Sequence, residues 1–352
     1  MAEPRPLAEL TTLRLGGPAA ELVEAVNEAE LVAAVTDADR RGIPLLLVAG
    51  GSNLVVADEG FDGRVVHVAT TGVRSDVEGP DVVACGGAMV TVAAGEPWDA
   101  FVARAVASGW SGVEALSGIP GSVGATPIQN VGAYGQEVSQ TIASVRTWDR
   151  LEGRQRTFAA ADCGFGYRHS RFKAEPDRYV VLEVTFQLPL ADLSAPVAYA
   201  ELARALGVAV GERAALADVR RAVLALRTGK GMVLDESDHD TWSAGSFFTN
   251  PLLTPEQADL LPAAAPRWPQ PDGTVKTSAA WLIEHAGFGK GHSPASLGGR
   301  VALSGKHTLA LTNRGGASTA DLLALAREVR DGVQRAFGVE LVNEPVLVGV
   351  RL

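Results

Sequence analysis

GVEALSGIPGSVGATPIQNVGAYGQEV, residues 112–138, holds six glycines and two prolines in 27 positions and only two charges, Glu114 and Glu137. Side chains that small cannot fill a core. The value of the stretch lies in backbone that approaches a ligand closely and offers N–H groups to it, which is what a buried phosphate needs. A second glycine turn, AGGSN at Ala49–Asn53, joins the apolar runs Pro44–Val48 and Leu54–Val56, both read as buried strands. Two separated anion-cradling loops point to one long ligand with a diphosphate in its middle.

Outward from these loops the chain alternates short strands and helices. Asn27 with Glu30 reads as a capping box opening a helix through Leu31, Val32 and Val35 that Gly42 closes. Arg64–Ala69 and Asp81–Cys85 read as strands, and Pro97 as the first helical position of Trp98–Ser108, ended by Gly109. Thr141–Trp148 and Tyr179–Leu188 are β-rich and flank the loop bearing Tyr167 and Arg168. Composition shifts at Pro189–Val197, read as a domain end, and at Pro251–Asp272, which holds six prolines. Helices are expected at Ala214–Leu226, Ser278–His285 and Thr319–Phe337, then a final strand over Val339–Val350. Without regular βαβ spacing, the pattern favours α+β over a doubly wound sheet.

At 352 residues the chain is long enough for two or three domains. Hydrophobic content of 47% with 20% charged residues fits a globular enzyme, and no apolar run reaches the ~18 residues of a membrane span. No secretory signal is visible, so a cytoplasmic location is expected. Cys85 and Cys163 are too few for a disulfide framework and read as buried thiols. A net charge of -10 argues against nucleic acid and leaves an anionic ligand to local cations and backbone dipoles.

Several motifs fail. A P-loop ending at Lys306 would need glycine where Arg300 stands and a hydroxyl where His307 stands. The six histidines lack HExxH or paired-ligand spacing, so no metal is expected. Neither Ser122 nor Ser246 has the glycine two places before it that a nucleophile elbow needs, and a Rossmann GxGxxG is absent.

Eight segments stand in order along the chain: TTLRLGGPA at Thr11–Ala19, VAGGSNLVVAD at Val48–Asp58, SGIPGSVGATPIQNVGAYGQEV at Ser117–Val138, FGYRHSRFK at Phe165–Lys173, LRTGKG at Leu226–Gly231, SAGSFFTNP at Ser243–Pro251, KTSAAWLIEHAGFGKG at Lys276–Gly291 and NEPVLVG at Asn343–Gly349. From end to end they resemble one family, the UDP-N-acetylenolpyruvoylglucosamine reductases (MurB). The resemblance implies an α+β fold: a two-domain FAD-binding module of the PCMH/vanillyl-alcohol-oxidase type plus a C-terminal α/β substrate domain. The boundaries expected are 1–70 joined by the C-terminal strand 338–352, then 71–213, then 214–337. The activity implied is FAD-mediated, NADPH-dependent reduction of the enolpyruvyl ether of UDP-N-acetylglucosamine to UDP-N-acetylmuramate, in peptidoglycan precursor synthesis. The FAD is expected to be non-covalent. The partners implied are the UDP-sugar and NADPH, with no nucleic acid, no membrane insertion and a monomeric state.

Hydride arriving at the terminal enol carbon leaves carbanion character beside the carboxylate, which must be stabilised where it forms. By resemblance Arg168 and a protonated Glu344 stabilise that charge, and Ser246 delivers the proton to the neighbouring carbon. Gly50, Gly51, Ser52, Asn53 and Leu54, with Ser117, Gly118, Ile119, Gly121, Ser122, Val123 and Gly124, are implied to hold the FAD, with residues 124–128 lining it, while Arg168 and Arg227 contact it. Lys230, Asn250 and Lys276 match substrate-binding positions, and Tyr199 resembles the tyrosine that covers the substrate phosphates in type I members.

On the residues alone each position keeps a plainer reading. Ser246 reads as a turn residue, Glu344 as an edge charge, Arg168 as part of a solvated basic loop, AGGSN as an ordinary turn, Arg227 as an exposed helix-end cation and Tyr199 as a helix cap. Lys230, Asn250 and Lys276 keep the plainer reading of surface charge. Two departures stand out: Thr249 replaces a common lysine of the family, and Val346 is apolar where some members carry arginine. Two rival functions are an oxidase using O2, whose histidine tether has no candidate beside either glycine loop, and a catalytically silent flavin or sugar-nucleotide binder.

Overall fold

The structure, a computed structural model, describes residues 5–77 and 87–352. The expected strand Asp81–Cys85, with Cys85, lies outside the described residues. Contacts divide the chain into two compact units, one of Met1–Ala20, Gly51–Asp62 and Gly229–Leu352, the other of Glu21–Gly50 and Gly63–Thr228. The Pro189–Val197 stretch falls inside the second.

In the second unit an antiparallel sheet orders its strands Arg154–Ala159, Ile142–Asp149, Tyr179–Leu188, Ala88–Ala93 and Val73–Ser75. The β-branched and aromatic run of Tyr179–Leu188 takes a central place and is buried along most of its length, as strand pattern dictates. Arg154–Ala159 escaped the sequence reading because Arg, Gln and Thr on an exposed edge strand carry no apolar signal. A three-stranded sheet orders Ala19–Ala25, Phe61–Val68 and Leu45–Val48, the last two paired in parallel. The helix Glu28–Arg41 begins and ends where expected: Asn27 accepts the Glu30 N–H, Glu30 returns to Val26 N–H, and Gly42 turns left-handed at φ 63°.

Trp98–Ala107 starts one residue later than Pro97 suggested: Pro97 is the N-cap, its missing N–H still harmless there. Trp98 is fully buried, in a cluster with Phe101 and Phe186, and its Nε1 donates to Leu116 O at 3.0 Å. The core thereby anchors the chain within the glycine stretch, just ahead of Ser117. Truncating such a ring to alanine costs about 3–5 kcal/mol.

The first unit is built on the helix Thr319–Phe337, opened by Ser318 in a capping box with Asp321 and ended by Gly338 at φ 68°. Leu322, Leu325, Ala326, Val329 and Val333 form its buried stripe at helical spacing. Gly332 sits mid-helix because the Phe288 ring occupies the place of a side chain; a Cβ there would lie 2.2 Å from it. The expected final strand shrinks to Val346–Val348, paired in parallel with Leu54–Val56. Pro345 has no N–H to continue a ladder, and Asn343 makes only an isolated bridge to Phe248. Leu45–Val48 and Leu54–Val56, on either side of AGGSN, therefore belong to different sheets. Among the described residues no helix is long and apolar enough to cross a membrane, and no His/Cys/Asp/Glu group could hold a metal ion.

Candidate active site

In the second unit the first glycine of AGGSN meets the long glycine stretch. A Cβ on Gly50 would lie 2.6 Å from the Cα of Gly121. The loop then runs beside Ala94–Trp98: Trp98 N–H donates to Gly121 O at 3.0 Å, Val123 N–H to Glu96 O at 2.9 Å and Gly124 N–H to Ala94 O at 2.8 Å. Gly118 N–H donates to Asp99 Oδ1 at 2.6 Å, and the Ser117 hydroxyl to Glu114 O at 2.6 Å. The expectation that this backbone offers its N–H groups to a phosphate is thus corrected for Gly118, Val123 and Gly124. Their N–H groups are committed inside the protein, and the glycines serve close backbone packing.

The group left over is the Ser122 hydroxyl. Ser122 is 3% exposed and its Oγ is buried with no hydrogen-bond partner in the structure. Such a group costs about 1–3 kcal/mol unless a ligand satisfies it. A phosphate oxygen is the acceptor that fits, beside a backbone made slim by Gly118 at φ 72° and Gly121 at φ 118°. The residues present therefore suit an FAD diphosphate.

Arg227 ends the helix Leu216–Gly229 with its Nε buried, which corrects the exposed-cation alternative. Burial lowers the pKa of its guanidinium, and the charges of Tyr134 and Asp99 oppose that effect. Seven residues earlier Arg220 grips Asp99 with both Nη atoms, at 2.6 and 2.8 Å. Burial acts to raise the Asp99 carboxyl, but Arg220 and the Gly118 N–H outweigh it and hold it below the usual aspartate range.

Arg168 is partly buried rather than solvated. Its Nη2 donates to Gly132 O at 3.1 Å, its Nη1 reaches Asn130 O at 3.5 Å, and its guanidinium lies 5.5 Å from the Tyr167 ring centroid. The catalytic cation expected from the sequence is thus tied to the glycine stretch. Four described non-glycine residues have φ in the left-handed region, and three of them, Asn130, Tyr134 and Arg168, belong to this neighbourhood. Such backbone is costly and is held only where surroundings impose it. Tyr199 precedes the helix Ala200–Leu206 but makes no side-chain cap, correcting that alternative; its ring meets Tyr134 edge-on at 5.5 Å.

The first unit holds the other expected residues. Gly51, at φ 54°, could carry no side chain, since its Cβ would fall on Leu10 O. Beyond Ser52, Asn53 O accepts the Val346 N–H at 2.9 Å, and Asn53 Nδ2 reaches Glu344 O at 3.5 Å. Gly245, at φ 72°, turns the chain into Ser246, and Phe247 and Phe248 drive into the core at 1% exposure each. Phe247 N–H donates to Leu309 O at 2.7 Å, while Phe247 O accepts the Glu344 N–H at 2.8 Å. The structure therefore brings the Ser246 and Glu344 segments together, with Asn53 beside them.

Asn250 Oδ1 accepts the Ala279 N–H at 3.0 Å, so the residue also steadies the start of helix Ala279–His285. Lys276 lies in a short strand between Leu252 and Trp268. Lys230 precedes Gly231, which packs against Asp240 O and Lys306. Thr249 binds Val342 O through its backbone N–H at 3.0 Å, so a backbone contact holds the position where the family often has lysine.

Sequence reasoning missed Asp99, Arg220, Asn130 and the pair Glu114–Gln136. Glu114 is fully buried, accepts the Gly112 N–H at 2.6 Å and receives Gln136 Nε2 at 2.9 Å. An acid in an apolar, glycine-rich run was the available signal. Asp99 had none, because an acid in a helix's first turn is ordinary.

A family profile described as an FAD binding domain matches residues 19–158, and one described as the UDP-N-acetylenolpyruvoylglucosamine reductase C-terminal domain matches residues 236–348. A UDP-N-acetylenolpyruvoylglucosamine reductase of Cutibacterium acnes is 61% identical over 344 residues, covering 98% of this chain and 89% of the relative. One from Streptomyces coelicolor is 60% identical over 358 residues, covering 99% and 90%. The crystal structure of UDP-N-acetylenolpyruvylglucosamine reductase (MurB) from Thermus caldophilus superposes with a TM-score of 0.65 at 25% identity, covering 98% of both chains.

Proposed function

This chain belongs to the UDP-N-acetylenolpyruvoylglucosamine reductase family, and from that premise we propose that Arg168, Ser246 and Glu344 carry its reaction and that NADPH is its electron source. It is an FAD-dependent oxidoreductase of peptidoglycan precursor synthesis, reducing the enolpyruvyl ether of a UDP-sugar to UDP-N-acetylmuramate. The observation that carries the assignment of roles is the Glu344 N–H bonded to Phe247 O, which holds the carboxyl-bearing segment against the residue after Ser246.

When bound, FAD supplies two-electron chemistry between NADPH and the vinyl carbon of the substrate. The Ser122 hydroxyl would bind its diphosphate; Gly50, Gly51, Ser52, Asn53 and Leu54, and Ser117, Gly118, Ile119, Gly121, Val123 and Gly124, are the residues that would hold it, and Arg227 would bring positive charge to it. Negative charge that develops beside the substrate carboxylate is met by the Arg168 guanidinium and by Glu344 when protonated. Ser246 Oγ gives its proton to the neighbouring carbon; no protein hydrogen bond engages that hydroxyl among the described residues. Lys230, Lys276 and Asn250, through its Nδ2, bind the uridine diphosphate, and Tyr199 covers it as in type I members. The same reading makes the protein a cytoplasmic monomer with three functional parts, 1–70 with 338–352, 71–213 and 214–337.

A two-step anaerobic titration tests the reading. Purified protein is expected to be yellow with non-covalent FAD, to bleach with NADPH and to regain colour when the enolpyruvyl UDP-sugar is added. Bleaching by NADPH without recovery on the UDP-sugar, together with bleaching by an alcohol or hydroxy acid and recovery of colour with O2, would replace it with an oxidase.

A further inference from the structure

Asp99 sits in the first turn of the helix Trp98–Ala107, where the helix dipole favours an anion. Its carboxylate nevertheless turns away from its own helix. Oδ1 takes the N–H of Gly118, 19 residues on, at 2.6 Å, and both oxygens receive the Arg220 fork at 2.6 and 2.8 Å. Bidentate charge-assisted bonds of this kind fix geometry as well as distance. Arg220 and Arg227 stand seven residues apart on one helix, close to two full turns, so they share a face about 10 Å apart. A continuous strut therefore runs from the glycine loop through Asp99 and Arg220 to Arg227.

Resting on the assignment of the Ser117–Gly124 loop to FAD, we propose that Asp99 is the positioning residue of the cofactor site, locking that loop in register with the helix that bears Arg227. It acts in two ways. By holding Gly118 it fixes the approach to Gly121 and Ser122, where the cleft wall has no side chain stiff enough to hold itself. By its charge it opposes the effect of burial on the Arg227 guanidinium. Other anchors, among them the Ser117 hydroxyl on Glu114 O, Gly121 O and the Val123 and Gly124 N–H groups, tie the loop to its neighbours, and Ala115 packs with Val219 and Val223 of the Arg227 helix; Asp99 adds the charged link between the loop and that helix.

The test compares Asp99→Ala, Asp99→Asn and wild type by the FAD dissociation constant of the apoprotein, the visible absorption band of bound flavin, and the thermal midpoint of the apoprotein. Asp99→Ala is expected to weaken FAD about 10-fold or more and to shift the band, with the apoprotein midpoint within about 2 °C of wild type. Asp99→Asn keeps an oxygen for Gly118 and loses the charge, so it should fall between the two. Wild-type FAD affinity in Asp99→Ala overturns the proposal. So does weakening that merely follows an equally large loss of apoprotein stability and is not graded between Asn and Ala. Should Asp99→Ala not fold, Asp99→Asn decides alone, unchanged affinity and band counting against the proposal. Failure of the underlying loop assignment shows itself separately, as intact FAD affinity in Gly121→Val.

Discussion

Replacing Gly50 by alanine adds one methyl group at a point where two backbones touch. Gly50 has no left-handed φ, so alanine meets no conformational strain, and the unfolded chain alone would favour the change by about 0.4–1 kcal/mol. The contact opposes it. The new carbon would lie 2.6 Å from Gly121 Cα, 3.0 Å from its carbonyl carbon and 3.3 Å from its nitrogen, against an optimal carbon separation of about 3.5–4.0 Å. Gly121 would have to retreat by roughly 1 Å, while its carbonyl is held at 3.0 Å by the N–H of the fully buried Trp98. Overpacking of this kind costs about 1–3 kcal/mol, so the sign of the net effect is destabilising, with a midpoint lowered by about 2–6 °C. The displacement also carries Ser122, and a hydroxyl moved by ~1 Å leaves hydrogen-bonding range, so FAD affinity should fall about 10-fold. Thermal denaturation of the apoprotein and a fluorescence titration with FAD read both effects. A variant as stable as wild type or more so, binding FAD equally well, would refute the claim that these glycines exist for backbone contact at the cofactor loop.

Ser246→Ala should leave flavin reduction by NADPH intact while slowing reoxidation by the enolpyruvyl substrate by orders of magnitude; stopped-flow absorbance of the two half-reactions decides, and equal loss in both removes the proton-donor role. The Arg300 fork, against the opposing influence of burial, holds Asp321 at about 2, below its ordinary 3.8. A depressed carboxyl stabilises the fold fully above its unfolded value, so the deficit of Asp321→Asn should be constant, about 1 kcal/mol, above pH 4 and vanish as pH falls toward 2 in urea titrations. Burial pushes the Cys163 thiol up to about 11, so mass spectrometry should find it unalkylated by iodoacetamide in native protein at pH 8 and modified once urea is added.

The helices were legible because their signals are local. Asn27 and Gly42 act within one turn of themselves and the structure uses both at the expected position; Ser318 and Gly338 bound the helix Thr319–Phe337 by the same local devices. Strands with a buried face, such as Tyr179–Leu188, were legible for the same reason, while the polar edge strand Arg154–Ala159 was not. The end of the chain misled: apolar residues from Val339 onward satisfy a strand pattern, yet Pro345 and the contacts of residues 343–344 with 247–248 confine the strand to three residues. At the candidate site, residue types pointed to glycine-dense loops offering N–H groups to an anion. Which N–H groups remain available depends on partners such as Asp99, Glu96 and Ala94, and those pairings are properties of the folded chain that no spacing rule encodes.

Asn53 and Glu344 are 291 positions apart, yet the second reaches its place through the short parallel pairing beside the first. Loop-closure entropy grows only slowly with length, so thermodynamics tolerates the span. Timing is another matter. On the ribosome the strand Leu54–Val56 emerges long before its neighbour Val346–Val348 exists, so a nascent chain stalled short of residue 343 has its glycine loops but neither that neighbour nor Glu344, the acid proposed to face the substrate. The proposed chemistry is thereby withheld until that pairing can form.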